Sequence, residues 1–132
     1  MSTLLIEQVE RMGLDTVRMT PTNKIFRPRT IDRLRPLMKP KMCYSNAWHA
    51  CFEKGVGYAE GWVEFDNLAF YHAFNFRNGK FFDPTTDLVL DTTNGRYFLT
   101  GTCSAKHLED MLLKTQEWGP IFFDLNTLGK WI

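Results

Sequence analysis

Cysteine and histidine are scarce in this chain, with three of each, and the scarcity narrows the chemistry open to it. Three cysteines, an odd number without close-pair spacing, exclude a disulfide scaffold and favour a reducing setting. The cysteines and histidines fall in no recognisable zinc spacing. A phosphate-cradling glycine loop and a flavin fingerprint are also missing, so neither a cofactor nor a metal is expected. No apolar run approaches the length of a membrane span. Glu7, Glu10 and Arg11 follow the short apolar start too closely for a secretory signal. The expected address is the cytoplasm, with no membrane partner.

A dominant charge is missing too. Sixteen Lys and Arg against 15 Asp and Glu leave a formal net charge of +1. The balance hides a local asymmetry. Between Arg18 and Lys41, the bases Arg18, Lys24, Arg27, Arg29, Arg33, Arg35, Lys39 and Lys41 face a single acid, Asp32. Such a run is either a solvated surface arm or a docking strip for nucleic acid or an acidic protein. Phe26 is the strip's one aromatic side chain suited to stacking on bases.

What is present reads as a single α+β domain spanning residues 1–132. Leu4, Leu5, Val9 and Met12 recur at helical spacing and predict a helix over Thr3–Met12, stopped by Gly13. Pro21, Pro28, Pro36 and Pro40 break the stretch from Thr20 to Lys41 into irregular chain. One short helix is expected there, around Thr30–Leu37, with Thr30 as its cap. Residues 1–41 are therefore a helix followed by a basic, proline-interrupted arm that wraps the core.

Beyond Met42 the pattern sharpens. Tyr44–Lys54 is helical and ends at Gly55 and Gly57. Tyr58–Phe65 alternates with the period of a strand, and Asp66-Asn67 supplies a turn into a second strand, Leu68–Arg77. Asn78-Gly79 is a strong hairpin signal, leading to a third strand, Lys80–Asp83. Leu88–Leu90 is expected as an edge strand and Tyr97–Thr100 as another. A helix follows over Ser104–Thr115, and the apolar tail Pro120–Ile132 is expected to close over the core. The resulting architecture is a helix packed on an antiparallel sheet.

Cys43, His72 and Asp83 occur in an order that suits cysteine-nucleophile chemistry. A thiolate is favoured at a helix N-terminus, where unpaired backbone N–H groups can also stabilise an oxyanion. Cys43 stands where the helical pattern begins. His72 lies on a strand and could shuttle the thiol proton, and Asp83 could hold the other imidazole nitrogen. A two-residue Asn78-Gly79 loop pairs Arg77 with Lys80, Phe74 with Asp83 and His72 with Thr85. His72 and Asp83 then share a sheet face as diagonal neighbours, and a one-residue slip would separate them.

These residues also carry a resemblance. Cys43-Tyr-Ser-Asn-Ala, Tyr58-Ala-Glu-Gly-Trp, His72-Ala-Phe-Asn and Asn78-Gly-Lys-Phe-Phe-Asp-Pro-Thr resemble the transglutaminase-like branch of the papain-like cysteine superfamily. They are similar in particular to small bacterial and phage-type proteins. The likeness covers Cys43 to about Thr86. It implies a nucleophile-bearing helix packed on an antiparallel sheet, with Cys43 as nucleophile, His72 as base and Asp83 as orienting acid. It also implies that Glu60, Trp62 and Asn46 lie toward the substrate, a protein or peptide. Phe74 replaces the tryptophan usual after His-Ala, and no glutamine stands upstream of Cys43 as an oxyanion donor.

The resulting expectation is a cysteine-dependent enzyme acting on an acyl bond through a thioester, by peptide or isopeptide hydrolysis, deamidation or acyl transfer. The alternative is a non-enzymatic protein of the same fold that docks through Arg18–Lys41. Blander roles exist for single residues: Cys43 as core, His72 as a satisfied structural histidine, Asp83 as a turn residue before Pro84 and Glu60 as a surface residue. Cys51 reads as packing and His49 as structural. Cys103 and His107, four apart and assigned to the last helix, form a rival reactive or metal-binding pair.

Overall fold

The computed structural model describes residues 3–90, 95–117 and 119–122. Its centre is the antiparallel ladder of β3 (Gly57–Phe65) and β4 (Leu68–Arg77), paired from Gly57–Phe76 to Phe65–Leu68. On the other side of β3 lies β6 (Tyr97–Cys103), which pairs in turn with the short β2 (Thr16–Val17). The far side of β4 is shared. β1 (Thr3–Leu5) pairs with residues 68–70, and β5 (Lys80–Phe82) pairs with residues 75–77. The six strands described form one antiparallel sheet, in a mixed α+β fold.

Asn78 and Gly79 both have positive φ, +50° and +77°, as a tight type I′ hairpin requires. The expected register forms for three pairs, Arg77 with Lys80, Phe76 with Phe81 and Asn75 with Phe82, but the expected pairs Phe74–Asp83 and His72–Thr85 do not form. Pairing stops at Phe82, because Asp83-Pro84 turns the chain into a π-helical segment over Thr85–Leu90.

Helices cover one face of the sheet. α3 (Cys43–Lys54) and α4 (Ala105–Thr115) pack on Tyr58 and Ala73, with Ala47, Cys51 and Leu108 in the seam. The small α1 (Ile6–Glu10) adds Ile6 and Val9 beside Trp62, Tyr71 and Phe98. The opposite face buries Ala59, Val63, Phe74 and Tyr97. A further core lies under α2 (Pro28–Leu34), whose Ile31 and Leu34 join Phe26, Met38, Ala50 and Phe82. β3 is thus buried on both faces, so its alternation separates two interiors rather than inside from outside. Gly61 lies where the β3–β6 register shifts, and a Cβ there would stand 2.0 Å from the Phe98 carbonyl oxygen.

Several local expectations are corrected. Thr3–Leu5 is a strand, not the first turn of a helix: β4 offers it a free edge, and ladder bonds with Leu4 buried outweigh one more helical turn. α2 begins at Pro28, whose fixed φ and missing N–H suit the first helical position, so Thr30 lies inside the helix and does not cap it. Leu88–Leu90 belongs to the π-helical segment, despite side chains that favour strands. Cys103 ends β6, and Ser104 caps α4 by accepting the His107 N–H at 3.1 Å, so Cys103 and His107 do not share a helix. Among the described residues, no helix is long and apolar enough to cross a membrane.

Candidate active site

α3 opens on Cys43 itself. Its first ladder bond runs from the Asn46 N–H to the Met42 carbonyl at 2.9 Å, so the helix start points its preceding N–H groups outward. The helix is held to β4 by Asn75, whose side-chain amide donates to the Ala47 carbonyl at 2.9 Å and the Gly57 carbonyl at 3.0 Å. Residues 71–74 of β4 have no described strand beside them on that edge, between β1 and β5. There Cys43 packs with Ala47 and Ala73 of the helix-covered face, and it contributes to the raised pKa of His72, which belongs to the other face.

His72 is buried, between Phe70 and Phe74 along its strand and against Tyr97 of β6. Its Nε2 lies 2.7 Å from Asp83 Oδ2. The other nitrogen, Nδ1, is the one left for the thiol. Burial alone would lower the imidazole's pKa. The Asp83 charge and hydrogen bond, followed by the hydrogen bond and charge of Cys43, outweigh burial and raise it to about 10. Its protonated form is therefore favoured.

Asp83 is buried as deeply. Desolvation pushes its pKa up, but the His72 cation and the His72, Tyr97 and Thr86 hydrogen bonds hold it below the ordinary carboxylate value. Thr86 Oγ1 donates to Oδ2 at 2.7 Å, its N–H donates to Oδ1 at 3.2 Å, and the Tyr97 hydroxyl donates to Oδ2. Asp83 thus caps the turn it begins, which fixes its carboxylate toward the histidine. The Asp-Pro-Thr-Thr run carries this capping signal. Tyr97 carries no such local signal, because its role depends on β6 pairing far along the chain.

The structure brings Cys43, His72 and Asp83 together, and it places the other candidates differently. Glu60, Trp62 and Asn46 are fully buried. Trp62 is core, its ring edge-on to Tyr71 at 5.2 Å. Asn46 is a clamp: it exchanges two bonds with the Lys39 backbone, at 2.9 and 2.8 Å, and donates to Thr85 Oγ1 at 2.9 Å. Glu60 accepts hydrogen bonds from the Tyr58 and Tyr71 hydroxyls and from the N–H groups of Ile121 and Phe122. Burial raises its pKa against those four donors. It anchors the segment 119–122 to the sheet; the rest of the expected tail lies outside the described residues. The close approach needs two glycines, since a Cβ at Gly101 would meet the Phe122 ring at 2.7 Å and one at Gly119 the Tyr44 ring at 2.6 Å.

The environment of the other two cysteines raises their thiol pKa values. Burial, then Cys103, raises the Cys51 thiol to about 12, and burial, then Glu60, raises Cys103 to about 11. Among the described residues, no group of three or more His, Cys, Asp or Glu side chains could hold a metal ion. No family model, curated protein or solved structure matches the chain.

Proposed function

We propose that the protein is a cysteine-dependent acyl-bond enzyme, with Cys43 as nucleophile, His72 as proton carrier and Asp83 as its orienting acid. The observation that carries this reading is the buried His72–Asp83 pair, joined at 2.7 Å, with the Cys43 thiol near enough to help raise the imidazole pKa. The helix-on-sheet arrangement and the Cys-His-Asp order also support a transglutaminase-like or papain-like core.

Chemistry follows from those positions. An imidazole held by an acid beside a thiol can take up the thiol proton as sulfur attacks. Sulfur attacks the carbonyl carbon of an amide and a C–S bond forms, with the oxyanion facing the first N–H groups of α3. His72 gives its Nδ1 proton to the leaving amine as the C–N bond breaks, leaving a thioester. A second nucleophile, water or an amine, then loses a proton to His72, attacks the thioester and expels the thiolate. Asp83 keeps its charge throughout and holds the ring in one orientation. Water as second nucleophile gives hydrolysis or deamidation; an amine gives transfer.

Iodoacetamide at neutral pH tests the centre. Cys43 is expected to alkylate at least tenfold faster than Cys51 and Cys103, and His72→Ala is expected to erase that advantage. An activated ester such as p-nitrophenyl acetate should leave an acyl group on the Cys43 peptide, detected by mass spectrometry. Equal, slow labelling of the three thiols with no acyl adduct would sink the proposal.

A further inference from the structure

At the opposite end of α3 from Cys43, a cleft of about 560 Å³ is framed by three separate parts of the chain. The arm supplies Lys24 and Arg27, α3 supplies Lys54, and the β4–β5 hairpin supplies Arg77 and Lys80. Nothing local in the sequence joins these groups; the fold does. No carboxylate lines the cleft. Among the described residues, none of the five cations forms an ion pair, whereas Arg96 and Lys106 elsewhere on the surface both do.

We propose that this cleft binds the sugar–phosphate backbone of a nucleic acid without reading its sequence. Five cations around one concavity raise a positive potential, focused by the apolar walls that Ile25 and Phe26 provide. The carbonyl end of α3 opposes that potential only weakly, as about half a unit charge. Thr30 and Asn78 add neutral groups of the kind that hydrogen-bond phosphate oxygens. Lysine supplies three of the five cations, and lysine is depleted in protein–protein interface cores, which favour arginine and exposed aromatics. Phe26 is buried, so no aromatic ring is offered to a base. That combination fits contact with phosphates, and it fits an acidic protein or a stacked nucleotide less well.

The site is distinct from the thiol centre. Cys43 and Lys54 are the first and last residues of α3, about 16 Å apart along the axis. Arg77 likewise ends the strand on which His72 lies.

Fluorescence anisotropy with labelled duplex and single-stranded DNA of mixed sequence tests the proposal. Binding is expected at low salt, with similar affinity for unrelated sequences and a steep loss as salt rises. Lys54→Gln, Arg77→Gln and Lys80→Gln should each lower the slope of log K against log salt by roughly one. The triple variant should bind at least tenfold more weakly while keeping the wild-type circular dichroism and Cys43 alkylation rate. Absence of binding at low salt would overturn the proposal, as would unchanged affinity and slope in a folded triple variant. Two competitors distinguish other occupants: displacement of DNA by polyglutamate at equal charge concentration would assign the cleft to an acidic protein. Displacement by tripolyphosphate at equal charge concentration would assign it to a small phosphate compound. Either result overturns the nucleic-acid assignment.

Discussion

At the scale of single residues, the His72–Asp83 pair should write a pH signature on folding. The His72 pKa is raised from 6.5 in the unfolded chain to about 10 in the fold. Its contribution to stability is therefore fully present below 6.5 and is lost as pH rises through about 10. Asp83, held below its ordinary value, acts in the other sense: its contribution is present above 3.8 and is lost as pH falls through the lowered value. Between pH 6.5 and 8.5 the histidine should dominate, because the buried thiols and tyrosines begin to cost stability only near their unfolded values of 9.0 and 10.0. Urea denaturation across that interval should show stability falling by roughly 1 kcal/mol per pH unit in the parent chain. His72→Gln should flatten the fall, and parallel curves for the two proteins would contradict the pairing. The trio was legible in sequence because each member carries a local mark: a helix start, a strand motif, a turn before proline. Glu60 was not. One carboxylate in an alternating strand looks the same whether it meets solvent or four buried donors, and the donors Ile121 and Phe122 lie far along the chain.

Among elements, the site depends on how α3, the arm and the Asp83 turn are fastened together, and Asn46 ties α3 to both of the others. Its amide binds the Lys39 backbone on the arm and Thr85 in the turn beside Asp83. Asn46→Ala leaves buried partners unsatisfied and should cost about 2–3 kcal/mol in urea denaturation. Under native conditions it should also slow Cys43 alkylation severalfold, since the turn that aims Asp83 loses its tie to the helix that carries the thiol. A stability change within about 0.5 kcal/mol, the range of an ordinary surface substitution, would show that the clamp is not needed. The elements themselves were unevenly readable. Asn78-Gly79 encodes its own turn, so the hairpin register followed from two residues. Thr3–Leu5 misled because the same leucines satisfy a helix or an edge strand, and only the free edge of β4 decides between them. The π-helical segment was hidden for the related reason that Thr85, Thr86 and Val89 favour strands in isolation, while Asp83 caps them into a turn.

Across the whole molecule, α3 is an axle with a different chemistry at each end. Its N-terminus carries the thiol beside residues 71–74 of β4, which no described strand pairs on that edge, and the positive helix pole there would favour a developing negative charge in the proposed reaction. Its C-terminus ends at Gly55 in the left-handed conformation and presents Lys54 to the basic cleft. A rigid helix buried along its length, through Ala47, Ala50 and Cys51, transmits little motion between its ends, because close-packed interiors do not deform continuously. Screening acts in the same direction: at physiological salt the Debye length is about 8 Å, about half the length of α3. Charge bound in the cleft is therefore too distant to retune His72 directly. DNA at saturating concentration should accordingly leave the iodoacetamide rate of Cys43 within a factor of two, and Cys43→Ser should leave the salt slope of DNA binding unchanged. Strong protection of Cys43 by bound DNA would mean that the polymer runs from the cleft across the thiol centre. The basic arm, which joins α3 through Lys39 and lines the cleft through Lys24 and Arg27, would then be the path that it follows.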